Sequence, residues 1–322
     1  MSADQSTRFA VYVALVGNLL VATTKAGAAF WTGSSSMLSE AVHSFVDTGN
    51  EVLLLYGMHR AKGEADQDHP VGYGRELYFW SFIVTVLVFA LGAGVSIFEG
   101  VTHMRNPAPV EDAVVNYVVL GLSFVFEGAS WVVSLRQFNA ARGSVGLLEA
   151  FRRSKDPPSF MVLFEDSAAL MGIVLAAGGT FASASLDRPE LDGLASILIG
   201  LVLAATAVLL ARESKSLLIG ERADSRLSDS ILRIAGQAKA VVRANGVITV
   251  QLAPDQVVAA LSLEFADELR TPDIEAAVVD IEKRLRLAHP EVTTLFVKPQ
   301  SSHSYQGRQQ DGAQEADLFS TG

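Results

Sequence analysis

The sequence predicts a polytopic α-helical membrane protein that carries a small α+β domain at its C-terminal end. Three observations point there. Half of the 322 residues are hydrophobic, and they crowd the first two thirds of the chain. Six segments in that part are apolar over the roughly 20 residues that a spanning helix needs. From about Ala223 the apolar runs give way to amphipathic and alternating patterns, as in a soluble appendage.

The spans are expected near Phe9–Trp31, Met37–His59, Leu77–Val101, Val114–Leu135, Phe160–Ser183 and Leu191–Leu210. Arg8 leads straight into the first, with no small-residue cleavage site, so that span should stay in the mature protein. The first two are joined by the short link Thr32-Gly-Ser-Ser-Ser36 and should form a tight antiparallel hairpin. The second and third are joined by a polar, turn-rich link, Arg60 to Arg75. The link from fourth to fifth carries Arg136, Arg142, Arg152, Arg153 and Lys155, and Arg212, Lys215 and Arg222 follow the sixth. With six spans these basic clusters share one side, while the opposite loops hold Arg105, Asp187, Arg188, Glu190 and Asp192. The excess of positive charge then places both termini in the cytoplasm.

In the last third, Ser228–Ala244 reads as an amphipathic helix. Val247–Leu252 and Val257–Phe265 alternate as strands around the turn Ala253-Pro-Asp255. Thr271–Leu287 has a helical period, with Pro272 and Asp273 suited to a first turn. Thr293–Lys298 is a last strand. An α-β-β-α-β order over about 80 residues suits a small open sheet covered by two helices. The domain expectation is thus a cytoplasmic N-terminus (1–8), a membrane domain (9–212), a cytoplasmic α+β domain (213–300) and a disordered tail (301–322).

Composition removes several classes of function. With no cysteine, disulfides, thiolate zinc sites and cysteine nucleophiles are excluded. A net charge of −10 without a basic block or basic helix face argues against nucleic acid as a partner. A prosthetic group is not expected.

What chemistry remains sits inside the spans. His43 and Asp47 lie four apart in Ser34-Ser-Ser-Met-Leu-Ser-Glu-Ala-Val-His-Ser-Phe-Val-Asp-Thr-Gly-Asn50, so they share a helix face. Imidazole plus carboxylate suits a borderline divalent cation such as Zn²⁺. The bland alternative is a histidine near a helix end that satisfies a backbone group. The other ionisable residues within the spans are Lys25, Glu40, Glu51, Glu99, Glu127, Glu165 and Asp166. Such groups are costly in a membrane, and by default they mark an ion or proton path. Asp47 lies about 15 Å from one end of the second span and Asp166 roughly 10 Å from the opposite end of the fifth. Both therefore approach the middle of a hydrocarbon core about 30 Å thick. Glu165 and Asp166 need a cation, a proton or Lys25 as compensation; a salt bridge to Lys25 that simply holds the bundle is the alternative. Glu99 and Glu127, each beside a glycine, suit a proton relay no better than structural hydrogen bonding.

These motifs carry a resemblance. Gly33 to Asp47, His69-Pro-Val-Gly-Tyr-Gly-Arg-Glu76, Glu165-Asp-Ser-Ala-Ala-Leu-Met-Gly172 and Arg212 to Glu221 resemble the cation diffusion facilitator family, which includes the solute carrier family 30 zinc transporters. The Glu-Asp pair resembles a branch with a mitochondrial paralogue in animals. The resemblance implies a homodimer with six spans per protomer and a cytoplasmic metallochaperone-like domain, exchanging Zn²⁺ or a related ion for protons. It also implies a transport site with two ligands from the second span and two from the fifth, each pair spaced four apart. His43 and Asp47 match the first pair, and Asp166 matches the second acid of the other. Val162 stands where its partner belongs and cannot bind metal, so Glu165, bordering the same face, is the expected substitute. A carboxylate-richer set is harder and would better tolerate Mn²⁺, Fe²⁺ or Co²⁺.

Two further family sites look absent. Gln67 and Tyr73 stand near His69 where ligands are expected, and Ser262 and Phe296 occupy strand positions that often carry histidine. The α+β domain should then dimerise without a metal cluster. The reading is a secondary transporter in a bacterial inner membrane, exporting a divalent cation against protons. A non-transporting scaffold or metal sensor is the alternative. An intramembrane zinc enzyme is disfavoured because there is no His-Glu-x-x-His pair.

Overall fold

The computed structural model describes residues 3–142, 146, 149–151 and 154–307, with the backbone alone for residues 3–17 and 141. Arg152 and Arg153 of the basic link, and residues 308–322 of the expected tail, lie outside the described residues. The chain divides into two compact units, Met1–Gly63 with Glu76–Lys215, and Glu64–Arg75 with Ser216–Gly322.

The long helices of the first unit are α1 (Ala3–Thr32), α2 (Ser35–Ala61), α3, α4 (Ala113–Arg142), α5 (Pro157–Leu186) and α6 (Glu190–Ile219). The third, α3, spans Arg75–Arg105 and is interrupted by a π-helical stretch at Val88–Ala93. Among the described residues, α3, α4 (over Ala113–Ala140), α5 and α6 are long and apolar enough to cross a membrane. At 27 residues α2 has the length, but Glu40, His43, Asp47, Asn50 and Glu51 lower its hydropathy. That second helix packs against α1, α3 and α5, with α4 against α1 and α5.

Small residues set the helix spacing. A Cβ on Gly100 of α3 would stand 2.6 Å from the Gly193 carbonyl oxygen of α6, and one on Gly193 would stand 2.8 Å from that of Gly100. The two backbones approach as closely as glycine allows, which suits helix packing in lipid.

The turn between α1 and α2 is held from outside itself. Ser34 caps α2 by accepting from the Met37 N–H. Asp192, in the first turn of α6 and fully buried, accepts from the Ser34 hydroxyl (3.0 Å), the Ser36 N–H (3.1 Å), the Ser36 hydroxyl (2.6 Å) and the Thr180 hydroxyl (3.4 Å). One carboxylate thus ties the N-termini of α2 and α6 to α5, where helix dipoles favour a negative charge.

The second unit contains α7 (Ser225–Gly236), β1 (Val241–Ala253), β2 (Gln256–Phe265), α8 (Thr271–Ala288) and β3 (Val292–Pro299). The element order is the expected one, and the sheet runs β1-β2-β3, antiparallel then parallel. The first helix is shorter than its periodicity suggests. It stops at Gly236, and residues 241–244, expected in the helix, pair with Phe265 to Leu263 instead. The β-branched pair Val241-Val242 favours the strand, and the ladder outweighs a marginal last helical turn. Ala259, Leu261 and Leu263 pack with Ile231 and Ala235 of α7 and Ile281 and Leu285 of α8. The opposite sheet face carries the cross-strand row Ile248, Ala260 and Phe296, with Ile248 and Phe296 both more than half exposed.

The tail expected to be disordered from residue 301 is helical over 302–307. Ser302 donates to Glu264 (2.5 Å) and Asn245 (2.8 Å), which anchors the start of this turn to β1 and β2.

Candidate metal centre

Helical spacing puts Glu40, Ser44, Asp47 and Glu51 on one face of α2, and His43, Asp47 and Asn50 on an adjoining one. Asp47 belongs to both. On the first face lies a cavity of about 480 Å³, walled by α1, α2, α4 and α5. Five carboxylates line it: Asp47, Glu51, Glu127, Glu165 and Asp166.

Each is held differently. Glu51 accepts from the Asn18 amide at 2.6 Å, across α1 and α2. Glu165, nearly fully buried, accepts from the Asn50 amide at 3.0 Å. Asp166 accepts from the hydroxyls of Ser130 (3.0 Å) and Ser134 (3.2 Å) on α4. Asp47 Oδ1 makes no hydrogen bond. It lies 3.4 Å from His43 Nδ1.

Of the expected ligands, Asp47, Glu165 and Asp166 face one cavity, and Val162 contributes an apolar patch to its wall. His43 is not among the lining residues; it is buried, and neither ring nitrogen has a hydrogen-bond partner. A buried imidazole without partners is rare for structural histidine and suits a ligand. Among the described residues, no three His, Asp or Glu side chains converge on one metal-sized point. The donors thus surround a space wider than a coordination sphere.

Lys25 takes a place that the sequence reading left open. It compensates Glu40 (3.1 Å) and Glu127 (2.7 Å), and also donates to Ser44 at 2.9 Å. Glu165 and Asp166 are not its partners in these contacts; they are served by Asn50 and the two α4 serines. Sequence reasoning placed Asn50 on the ligand face but missed Asn18, Ser130 and Ser134 as members of this network. The α4 residues had a visible signal, because Ser123, Glu127, Ser130 and Ser134 recur at four, three and four along an apolar helix.

His69 and His289 have local partners, whereas Nε2 of the buried His103 on α3 makes no hydrogen bond. In the α2–α3 link, His69 stacks on Tyr73 at 4.2 Å, and Asp66 accepts from the Tyr73 hydroxyl and the His69 N–H, both at 2.7 Å. Those hydrogen bonds, the tyrosine's first, hold the Asp66 carboxyl below its ordinary range. In the α+β unit, His289 Nε2 lies 2.8 Å from the Ser230 hydroxyl and Nδ1 lies 3.2 Å from Glu291. Ser262 is buried beside Asn245 and Gln300, whereas Phe296 is exposed.

With both His289 nitrogens engaged, the α+β unit is expected to fold without metal. A fragment covering residues 216–307 should keep one thermal midpoint with and without a strong chelator. Zinc-dependent small domains unfold when chelated. A fall above about 5 °C, roughly 1 kcal/mol for a domain this size, would reveal a site.

Comparison with known proteins returns a consistent set. The family model described as the cation efflux transmembrane domain matches residues 11–219. Metal tolerance protein C4 of Arabidopsis thaliana is 35% identical over 233 residues, which is 71% of this chain and 51% of that protein. The human mitochondrial proton-coupled zinc antiporter SLC30A9 is 34% identical over 212 residues, 65% of this chain and 37% of its own length. The cation-efflux pump FieF of Shewanella oneidensis is 26% identical over 237 residues, 72% of this chain and 75% of that one. The chain spans about half the length of the plant relative and just over a third of the human one.

Proposed function

This chain belongs to the cation efflux family, and from that premise we propose that it exports a divalent cation, Zn²⁺ before others, in exchange for protons. It is an integral, multi-pass membrane protein. The observation that carries the proposal is the cavity that Asp47, Glu165 and Asp166 line together, with His43, which makes no hydrogen bond, 3.4 Å from Asp47.

The exchange follows from ligand chemistry. A divalent cation binds imidazole and carboxylate only when they are deprotonated, so metal and protons compete for the same atoms. On the side where the metal is loaded the cation displaces protons; on the other side protons displace the cation. Rocking of the helices around this mid-membrane site would present it to each side in turn. Asn50 and the α4 serines stabilise Glu165 and Asp166 between cargoes, because each carboxylate keeps a hydrogen-bond donor when no cation is bound. Zinc as cargo is supported by the human relative, a proton-coupled zinc antiporter, and by the His43–Asp47 pair. Glu165 in place of the residue missing at Val162 makes the site oxygen-rich and tolerant of Mn²⁺, Fe²⁺ or Co²⁺. Six spans with both termini on the cytoplasmic side of a bacterial inner membrane complete the arrangement. The exposed Ile248–Ala260–Phe296 row supplies an apolar surface for a homodimer.

Flux into sealed vesicles containing the purified chain tests the proposal. Zn²⁺ uptake should be driven by an imposed pH gradient that is acidic inside, and should run down when an ionophore dissipates it. Zn²⁺ binding without flux under any gradient would favour a sensor or scaffold.

A further inference from the structure

Lys25 is the largest cost in the membrane unit that the transport proposal does not use. Its side chain is fully buried, as is that of Glu40, and an ammonium in such surroundings persists only with partners. Those partners come from two of the other helices around the cavity. Lys25 stands on α1, Glu40 and Ser44 on α2, and Glu127 on α4. The fourth helix, α5, closes against the cluster through Gly172, where a methyl group would collide with Glu40 Oε1.

The position of the cluster matters as much as its membership. Along α1 the cavity lining ends at Thr24, one residue short of Lys25. On α2 it ends at Ser44, one turn short of Glu40, and on α5 at Ala169, three residues short of Gly172. Only α4 lines the cavity beyond this level, as far as Val119. On α1, α2 and α5 the ion cluster therefore bounds the cavity on the side of the α1–α2 turn, while α4 lines it further. Outside it, Ala28, Ala29, Met37, Ile173 and Ala176 belong to one apolar cluster. Glu127 belongs to both compartments: Oε1 meets Lys25, while Oε2, on a residue lining the cavity, has no hydrogen-bond partner.

We propose that Lys25, Glu40 and Glu127 form a charge latch that closes the transport cavity toward the α1–α2 turn, with Glu127 shared between the latch and the cargo. The proposal rests on the transport reading. Its physical basis is that a buried ion cluster is stable when fully paired or fully wetted, and costly in between. The latch thus favours two states, shut or open to water. A divalent cation entering beside Asp47 draws on the free oxygen of Glu127 and loosens its hold on Lys25, so loading at one end weakens closure at the other.

The natural absence of cysteine makes the test direct. Val21→Cys, on α1 at the cavity wall, reports access by a membrane-impermeant thiol reagent in intact cells and in inverted vesicles. Asp187→Cys, in the turn between α5 and α6 at the same end as Asp192, identifies which preparation presents that end. From that side, Val21→Cys should label slowly in the otherwise unaltered chain and in Lys25→Arg, and about tenfold faster in Lys25→Met as the population shifts to the open state. Glu127→Gln, which cuts one arm and leaves Glu40 paired, should give a smaller rise, and it provides the reading if Lys25→Met fails to elute as a folded species. Equal rates in folded Glu127→Gln and the unaltered chain, or fast labelling of the unaltered chain itself, would overturn the latch. Labelling is read without metal, so a chain that opens as described yet carries no Zn²⁺ would refute transport and leave the latch standing.

Discussion

Asp47→Ala is expected to abolish cation flux in reconstituted vesicles while leaving the chain folded. Asp47 is the one side chain that joins the His43 face of α2 to the cavity face, and its Oδ1 has no hydrogen bond to lose. Its removal therefore takes away a ligand and an exchangeable proton without stranding a donor. Disturbing even the outer partners of a metal ligand costs about 10–100-fold in affinity or activity, and loss of a ligand should exceed that. Zn²⁺ uptake driven by a pH gradient is the measurement, with size-exclusion elution as the control for folding. Uptake at the unaltered rate would take Asp47 out of the path.

The largest effect on stability is expected at Asp192, far from that chemistry. Asp192→Ala leaves the hydroxyls of Ser34, Ser36 and Thr180 and the N–H of Ser36 without their acceptor in a fully buried setting. Breaking a buried charged network by removing one member costs about 3–5 kcal/mol. For a unit of this size that corresponds to a fall of roughly 10 °C in thermal midpoint, followed by tryptophan fluorescence of the purified chain in detergent. Asp192→Asn, which keeps one acceptor oxygen, should fall by less. A change below about 2 °C in Asp192→Ala would mean that the α1–α2 turn is held by its own capping alone.

Much of the fold was legible because lipid and hydrogen bonding leave few choices. Apolar runs of spanning length become helices, since backbone groups in lipid must pair within the segment. Helix depth also put Asp47 and Asp166 near the middle of the membrane, and the family resemblance added Glu165 beside them. What stayed hidden depended on partners distant in the chain. Lys25 was visible as a charge, but its choice of Glu40 and Glu127 follows from the packing of α4 against α1. Asp192 looked like a loop acid, because nothing local reveals that the α1–α2 turn closes over it. The false helical extension past Gly236 has the same cause. Residues 241–244 have a pattern that a helix can satisfy despite the β-branched Val241-Val242, and pairing with strand residues 263–265 decides for the strand. Residues 302–307 lack apolar periodicity, and their order comes from hydrogen bonds to β1 and β2 that no local pattern announces.

The π-helical stretch of α3 has a bearing on which chain lengths this bundle can accept. An ordinary helix turns about 100° per residue, so twelve residues overshoot three full turns by about 120°. Yet Val88 and Gly100, twelve apart, are both buried. Wider turns at Val88–Ala93 absorb the difference and bring Gly100 round to face Gly193. Loss of a single residue within this stretch would let the helix wind regularly and swing its second half by about 100°. Gly100 would then leave the α6 contact, and a bulkier neighbour would arrive where only hydrogen fits. Residue number in this stretch is therefore under a tighter constraint than residue identity: a conservative exchange alters one contact, whereas a frame-preserving loss of one codon would misalign the whole second half of the helix.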